Sequence, residues 1–141
     1  MTRVATETLL RNVRKRLTGA SPSPALDAEL LLAEALVVTR INLYTQPELS
    51  LDNDARARLE DNLRRRLTGE PIAYITGRKE FWSLDLKVTP ATLVPRPETE
   101  LLVATALELL HDHQAVNVAD LGTGSGAIAL ALAKERPAAQ I

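Results

Sequence analysis

The chain has 141 residues, 45% hydrophobic and 25% charged, with a formal net charge of -1. That is the size of one ordinary domain or two small ones, with the balance of a soluble globular protein and no global field to draw nucleic acid or an anionic membrane. There is no cysteine, which excludes disulfides, thiolate metal ligands and a Cys nucleophile and suits a reducing cytoplasm.

"MTRVATETLLRNVRKRL" lacks the continuous apolar core of a signal peptide, and no stretch approaches the ~18 apolar residues of a membrane span. Leu9, Leu10, Val13 and Leu17 fall on one face of a first helix, which Gly19 ends. In "SPSPALDAELLLAEALVV", Ser23 is placed to cap a second helix and Pro24 to open it. Leu26, Leu30, Leu31, Ala35 and Leu36 surround enough of that helix to predict a central, buried position. "TRINLYTQPE" reads as a short helix ended by Pro47.

A longer helix is expected over 52–67, where Ala55, Leu59, Leu63 and Leu67 recur every four residues and Gly69 follows. Asp52 and Asp54 at its start and Arg64, Arg65 and Arg66 near its end complement the helix dipole. Glu60 with Arg64 and Asp61 with Arg65 have the spacing of ion pairs worth roughly 0.2–0.5 kcal/mol each.

After Gly69 the texture changes. "EPIAYITG" reads as one or two helical turns closed by Gly77. In "KEFWSLDLKVTP", Trp82, Leu84, Leu86 and Val88 alternate with polar positions, which predicts a hairpin with its turn near 83–85. Pro97 at the first helical position, with Glu98 and Glu100 in the first turn, announces a helix. Leu102, Val103, Ala106, Leu107 and Leu110 give it an apolar face. "AVNVADL" reads as a short strand over 116–121, "GTGSG" as a turn, "AIALALAKE" as a small-residue helix, and "AAQI" as the start of another strand. The pattern is a helical part, a hairpin linker and the start of an α/β part.

A strand running into a glycine-rich turn and then a helix presents backbone N–H groups to a ligand. A P-loop is excluded, because no Lys-Ser/Thr pair follows the last glycine. The dinucleotide fingerprint needs G-x-G-x-x-G, and here the third glycine comes one residue early. G-x-G-x-G preceded by Asp120 is the form of many folds that bind S-adenosylmethionine. That cofactor has no pyrophosphate to cradle, and its ammonium and sulfonium favour a nearby carboxylate. The competing reading is a tight βα turn with no ligand.

"GEPIAYITGRKEFWSLDLKVTPATLVPRPETELLVATAL" followed by "VADLGTGSGAIALALA" strongly resembles the release-factor glutamine N5-methyltransferases, the PrmC/HemK family, over residues 27–141. "PRPETE" paired with "DLGTGSGAIALAL" at this separation also favours that branch over the related ribosomal-protein glutamine methyltransferases, which typically read "PRSP". The resemblance implies an α+β fragment: an N-terminal α-helical bundle, a β-hairpin connector and the start of a Rossmann-like α/β methyltransferase domain, divided here as 1–70, 71–95 and 96–141. It implies methyl transfer from S-adenosylmethionine to the glutamine of the GGQ motif in class 1 peptide chain release factors, in the cytoplasm, with the helical part helping to hold the release factor. Asp120, Gly122, Thr123, Gly124, Ser125 and Gly126 match the cofactor-binding turn. Arg96, Pro97 and Thr99 match the substrate-side "PRPxT" segment.

One departure is large. The family's catalytic "NPPY", which grips the glutamine amide, is absent from these residues, and so is the acid that binds the ribose hydroxyls. The expectation is a piece of a longer enzyme, inactive alone, with no catalytic residue in this chain. The alternative is a non-catalytic module that binds release factors. No metal site, membrane or direct nucleic-acid partner is expected. Self-association is expected to be open to the piece through uncovered apolar surface.

The remaining polar groups have ordinary explanations. His111 and His113 suit a helix C-terminus better than a metal. The runs 14–16 and 64–66 read as solvated helix faces. Trp82 reads as hairpin packing, and Glu98 and Glu100 as helix-start electrostatics rather than bases.

Overall fold

The computed structural model describes residues 2–110 and 115–141. His111 and His113 lie outside the described residues. The chain forms two compact units, Met1–Thr76 and Gly77–Ile141.

The first unit contains β1 (Thr2–Ala5), α1 (Thr6–Leu17), α2 (Pro24–Leu36), α3 (Asn42–Thr45), β2 (Glu48–Leu51), α4 (Asn53–Leu67) and α5 (Ile72–Thr76). Leu9, Val13 and Leu17 form the buried stripe of α1, and Ala55, Leu59 and Leu63 that of α4. Four-residue spacing puts each set on one helix face. Between them α2 buries Ala28, Leu31, Leu32, Ala33 and Ala35, which takes up most of its circumference. Leu17, Leu31, Leu32 and Leu63 are fully buried, at roughly 1.5–3 kcal/mol of hydrophobic stabilisation each. Leu26, expected in this buried set, is exposed.

Helix ends follow the sequence closely. Asp52 caps α4 by accepting the Ala55 N–H at 2.7 Å. Pro24 opens α2, and the Ser23 carbonyl accepts the Asp27 N–H at 3.0 Å. The ion pairs do not follow it. Glu60 pairs across helices with Arg16 at 2.6 Å, Arg65 pairs with Glu70 at 2.6 Å, and Arg64 pairs with Asp61 one turn back. Long side chains on exposed faces choose any partner within reach, so i,i+4 spacing alone did not decide them.

Two short strands have no forecast in the sequence pattern. β1 and β2 pair antiparallel, with Thr2 opposite Leu51 and Ala5 opposite Glu48. Thr6 ties this ribbon to α1. Its N–H donates to the Pro47 carbonyl at 3.0 Å and its hydroxyl to the Gln46 carbonyl at 2.7 Å.

The second unit contains β3 (Arg78–Phe81), β4 (Leu84–Lys87), α6 (Thr99–Leu109) and α7 (Ala127–Glu135). β3 and β4 form the hairpin, but its turn is Trp82 and Ser83 rather than 83–85. Both turn residues have positive φ, 51° and 54°, the backbone of a two-residue turn that matches strand twist. Trp82 thus leaves the strand alternation, and Phe81 takes the core position, packed with Leu86, Val103, Ala127, Ala131 and Leu132.

α6 begins at Thr99, two residues later than the proline rule suggested. Residues 96–98 form preceding turns, with Thr99 N–H bonded to the Arg96 carbonyl and Glu100 N–H to the Pro97 carbonyl. Only Val103 of its expected apolar face is fully buried, and Leu102 is exposed. The strand expected over 116–121 is a single parallel bridge, Asn117 to Gln140. Val118 N–H donates to the Gln140 carbonyl, and Gln140 N–H to the Val116 carbonyl, each at 2.8 Å.

Candidate functional site

The glycine turn connects residues 116–120 to α7. Gly122, Gly124 and Gly126 have φ of 80°, 55° and 78°, a region costly to any residue with a Cβ. The turn closes with Gly126 N–H donating to the Thr123 carbonyl at 2.8 Å, and Leu130 N–H returns to Gly126 at 2.9 Å. No side chain caps α7 at Gly126, so its first N–H groups stay available to a ligand. A Cβ on Gly122 would meet nothing within 4 Å, and one on Gly124 only the Gly122 carbonyl at 3.9 Å. The backbone there is open to close approach.

Asp120 supplies the charge. One of its carboxylate oxygens, Oδ2, is buried and has no hydrogen-bond partner. A carboxylate oxygen removed from water without a donor is costly, and a cationic ligand group beside the turn would satisfy it. The donor set thus fits the ammonium or sulfonium of S-adenosylmethionine: one orphaned carboxylate, an uncapped helix start and three bare glycines.

Arg96 and Pro97 are exposed and Thr99 is half-buried at the start of α6. Glu100, next in line, accepts the Trp82 backbone N–H at 2.9 Å, while the Trp82 indole donates to Glu135 at 3.0 Å. Glu135 is the last residue of α7. These contacts tie the 96–99 segment toward the C-terminal end of α7, and the glycine turn lies at the other end of that nine-residue helix, about 13 Å along its axis. Arg136 donates to the Leu107 and Leu110 carbonyls at 3.0 and 2.8 Å, closing the end of α6.

Two polar clusters in the helical unit escaped the sequence reading. Asp27 is 2% exposed and accepts from Arg66 Nε at 2.6 Å and Ser21 Oγ at 2.7 Å. Arg66 also donates to the Glu70 carbonyl at 3.0 Å. It is not the solvated cation its run suggested, and a single acid two turns from a Ser-Pro cap gave no hint of a partner 39 residues away. In the second cluster, Glu29 accepts from Tyr44 Oη and from Arg40 Nε, the latter at 3.1 Å. Burial alone would raise the Glu29 carboxyl, but the bonds from Tyr44 and Arg40 outweigh it and hold it below the usual range. The same bond pushes the Tyr44 hydroxyl up. Among the described residues, no group of three or more His, Asp or Glu side chains could hold a metal, and no helix is long and apolar enough to cross a membrane.

Comparison with known proteins adds a name to this arrangement. Residues 8–77 match the family model described as the PrmC N-terminal domain. The chain is similar to the release factor glutamine methyltransferase of Coxiella burnetii, 54% identical over 127 residues, which is 90% of this chain and 46% of the relative. It is 50% identical over 141 residues to that of Vibrio cholerae, covering 98% of this chain and 48% of the relative. The enzyme of the same name from Escherichia coli K12 is 51% identical over 122 residues, 86% of this chain and 44% of the relative. The chain spans about half the length of the curated relatives it matches.

Proposed function

We propose that this chain, which belongs to the PrmC family of release factor glutamine methyltransferases, serves in methyl transfer to the GGQ glutamine of class 1 peptide chain release factors. Residues 1–70 are assigned to substrate recognition, 71–95 to a hairpin connector, and 96–141 to the start of a Rossmann-like methyltransferase domain. The observation that carries the cofactor half of this reading is the orphaned Asp120 carboxylate oxygen beside an open turn with three positive-φ glycines.

S-adenosylmethionine, when bound, supplies an electrophilic methyl group. The roles of this chain's residues are to bind and orient. Asp120 would offer its carboxylate to the cofactor's cationic end, and Gly122, Thr123, Gly124, Ser125 and Gly126 would offer backbone at close range. Arg96, Pro97 and Thr99 are assigned to the substrate side. An amide nitrogen is a poor nucleophile, because its lone pair is delocalised. Its activation depends on oriented hydrogen bonds at the amide, and these residues contain no "NPPY" to provide them.

The test follows labelled methyl from S-adenosylmethionine into a purified class 1 release factor. The 141-residue chain should give no incorporation above background, and the same residues within a full-length protein carrying "NPPY" should give incorporation at the GGQ glutamine. Incorporation by the 141 residues alone would overturn the division of labour. No incorporation by the full-length protein would overturn the function.

A further inference from the structure

The helical unit holds a groove between α1 and α2, about 300 Å³ in volume. Leu10, Ala25 and Ala28 give it apolar surface, Arg11 and Arg14 line its α1 side, and Glu29 and Tyr44 complete it. Three features distinguish it from an ordinary dent.

First, Tyr44 is 68% exposed yet fixed, because its hydroxyl is bonded to Glu29, which Arg40 holds in turn. A ring restrained in this way loses little freedom when a partner covers it. Second, large apolar side chains continue beside it along the chain. Ile41 is 71% exposed and Val37 80%, and Val37 has a left-handed backbone with φ of 55°. Third, Arg11 and Arg14 are exposed, and among the described residues neither has an acidic partner. Glu29 is neutralised by Arg40. The unanswered charge of the rim is therefore positive.

We infer that this groove is the docking site for an acidic segment with apolar side chains on the release factor, its carboxylates meeting Arg11 and Arg14 and its apolar side chains covering Tyr44, Ile41 and Val37. The inference rests on the release-factor reading above and deepens it. Charge complementarity selects an acidic partner, and guanidinium groups favour planar carboxylates. A restrained exposed aromatic beside arginines is the composition of an interface centre rather than of idle surface.

The test measures binding of the 141-residue chain to purified class 1 release factor by titration calorimetry at low and moderate salt. Tyr44→Ala should weaken binding roughly tenfold or more. Arg11→Glu with Arg14→Glu should do the same, and more strongly at low salt. Lys15→Glu changes charge on the same helix outside the groove and should leave affinity within about twofold. Val37→Gly separates docking from folding, because it relieves the backbone and should raise Tm while lowering affinity. A purely structural residue would move both quantities together.

If the wild type binds and every variant binds as well as it does, the groove inference fails and the functional reading stands. If the wild type does not bind release factor, the functional reading fails and takes this inference with it. If poly-uridylate binds through Arg11 and Arg14 while release factor affinity ignores them, the groove is a nucleic-acid surface and the inference is wrong.

Discussion

Replacing Asp27 by alanine removes few atoms and should still be among the most damaging changes in the helical unit. The Asp27 side chain is 3% exposed and that of Arg66 13%. Without the carboxylate, Arg66 keeps its charge in a site that water barely reaches. Breaking a buried pair by removing one partner typically costs about 3–5 kcal/mol, because the other charge is left uncompensated. A unit of this size holds roughly 4–11 kcal/mol in total, at about 0.05–0.15 kcal/mol per residue. The substitution thus takes between a third and all of its stability. With a urea m-value of roughly 2 kcal/mol/M, the midpoint should fall by about 2 M or the transition should vanish. Asp27→Leu combined with Arg66→Met removes both charges and should recover most of the loss. Urea unfolding followed by far-UV circular dichroism reads both variants. A single substitution costing under about 1 kcal/mol, with no recovery in the double variant, would show that water screens the pair and that it does not lock α2 to α4.

Other outcomes are equally specific. Gly124→Val in the full-length protein should weaken S-adenosylmethionine binding by calorimetry at matched folding, because φ of 55° excludes a β-branched residue and the side chain would occupy the ligand's approach. Asp120→Asn should lower cofactor affinity without lowering Tm, since the carboxylate oxygen it replaces has no partner in the fold. Acid should destabilise the helical unit: the bond from Arg16 holds Glu60 below the usual carboxylate range, the bond from Arg65 does the same for Glu70, and Glu29 is held low as described. Depressed folded-state values give stability that is present above the unfolded value, about 4.3, and lost as pH falls through the folded values. Thermal melts between about pH 6 and pH 3 should therefore show Tm falling in the lower half of that range.

What the sequence made legible was local. The ends of α4 are set by Asp52 three residues before the N–H it caps and by a stripe repeated every four residues, so neighbours along the chain carried the information. The elements it hid depend on distant residues. β1 and β2 are four residues each and exist through a pairing that joins position 2 to position 51. The hairpin turn lacks the Asn-Gly signal of its type, and its Trp82 is held by Glu100 and Glu135, from α6 and α7. The candidate cofactor turn was readable as a spacing of glycines. The orphaned oxygen of Asp120 was not, because burial is a property of packing.

The three non-glycine residues with positive φ separate into two kinds, and Val37 is the more telling. Trp82 and Ser83 are held by hydrogen bonds that reach Trp82 from α6 and α7, including Lys134 Nζ to the Trp82 carbonyl at 3.4 Å. Val37 ends α2 in a closing motif: its N–H returns to the Glu34 carbonyl at 3.2 Å, and the Val38 N–H to the Ala33 carbonyl at 3.0 Å. That motif lets Val38 pack on the core and forces residue 37 into the left-handed region, where glycine is the ordinary occupant. Valine there costs about 1–2 kcal/mol in backbone sterics, against roughly 0.5–1 kcal/mol of extra entropy that glycine would lose on folding. Its side chain recovers little by packing, being 80% exposed. Val37→Gly should therefore stabilise the helical unit by about 0.5–1 kcal/mol, or roughly 3–6 °C in Tm by calorimetric scan. A lower Tm would mean that the valine side chain contributes packing after all, and the case for its being a contact held out to a partner would fall.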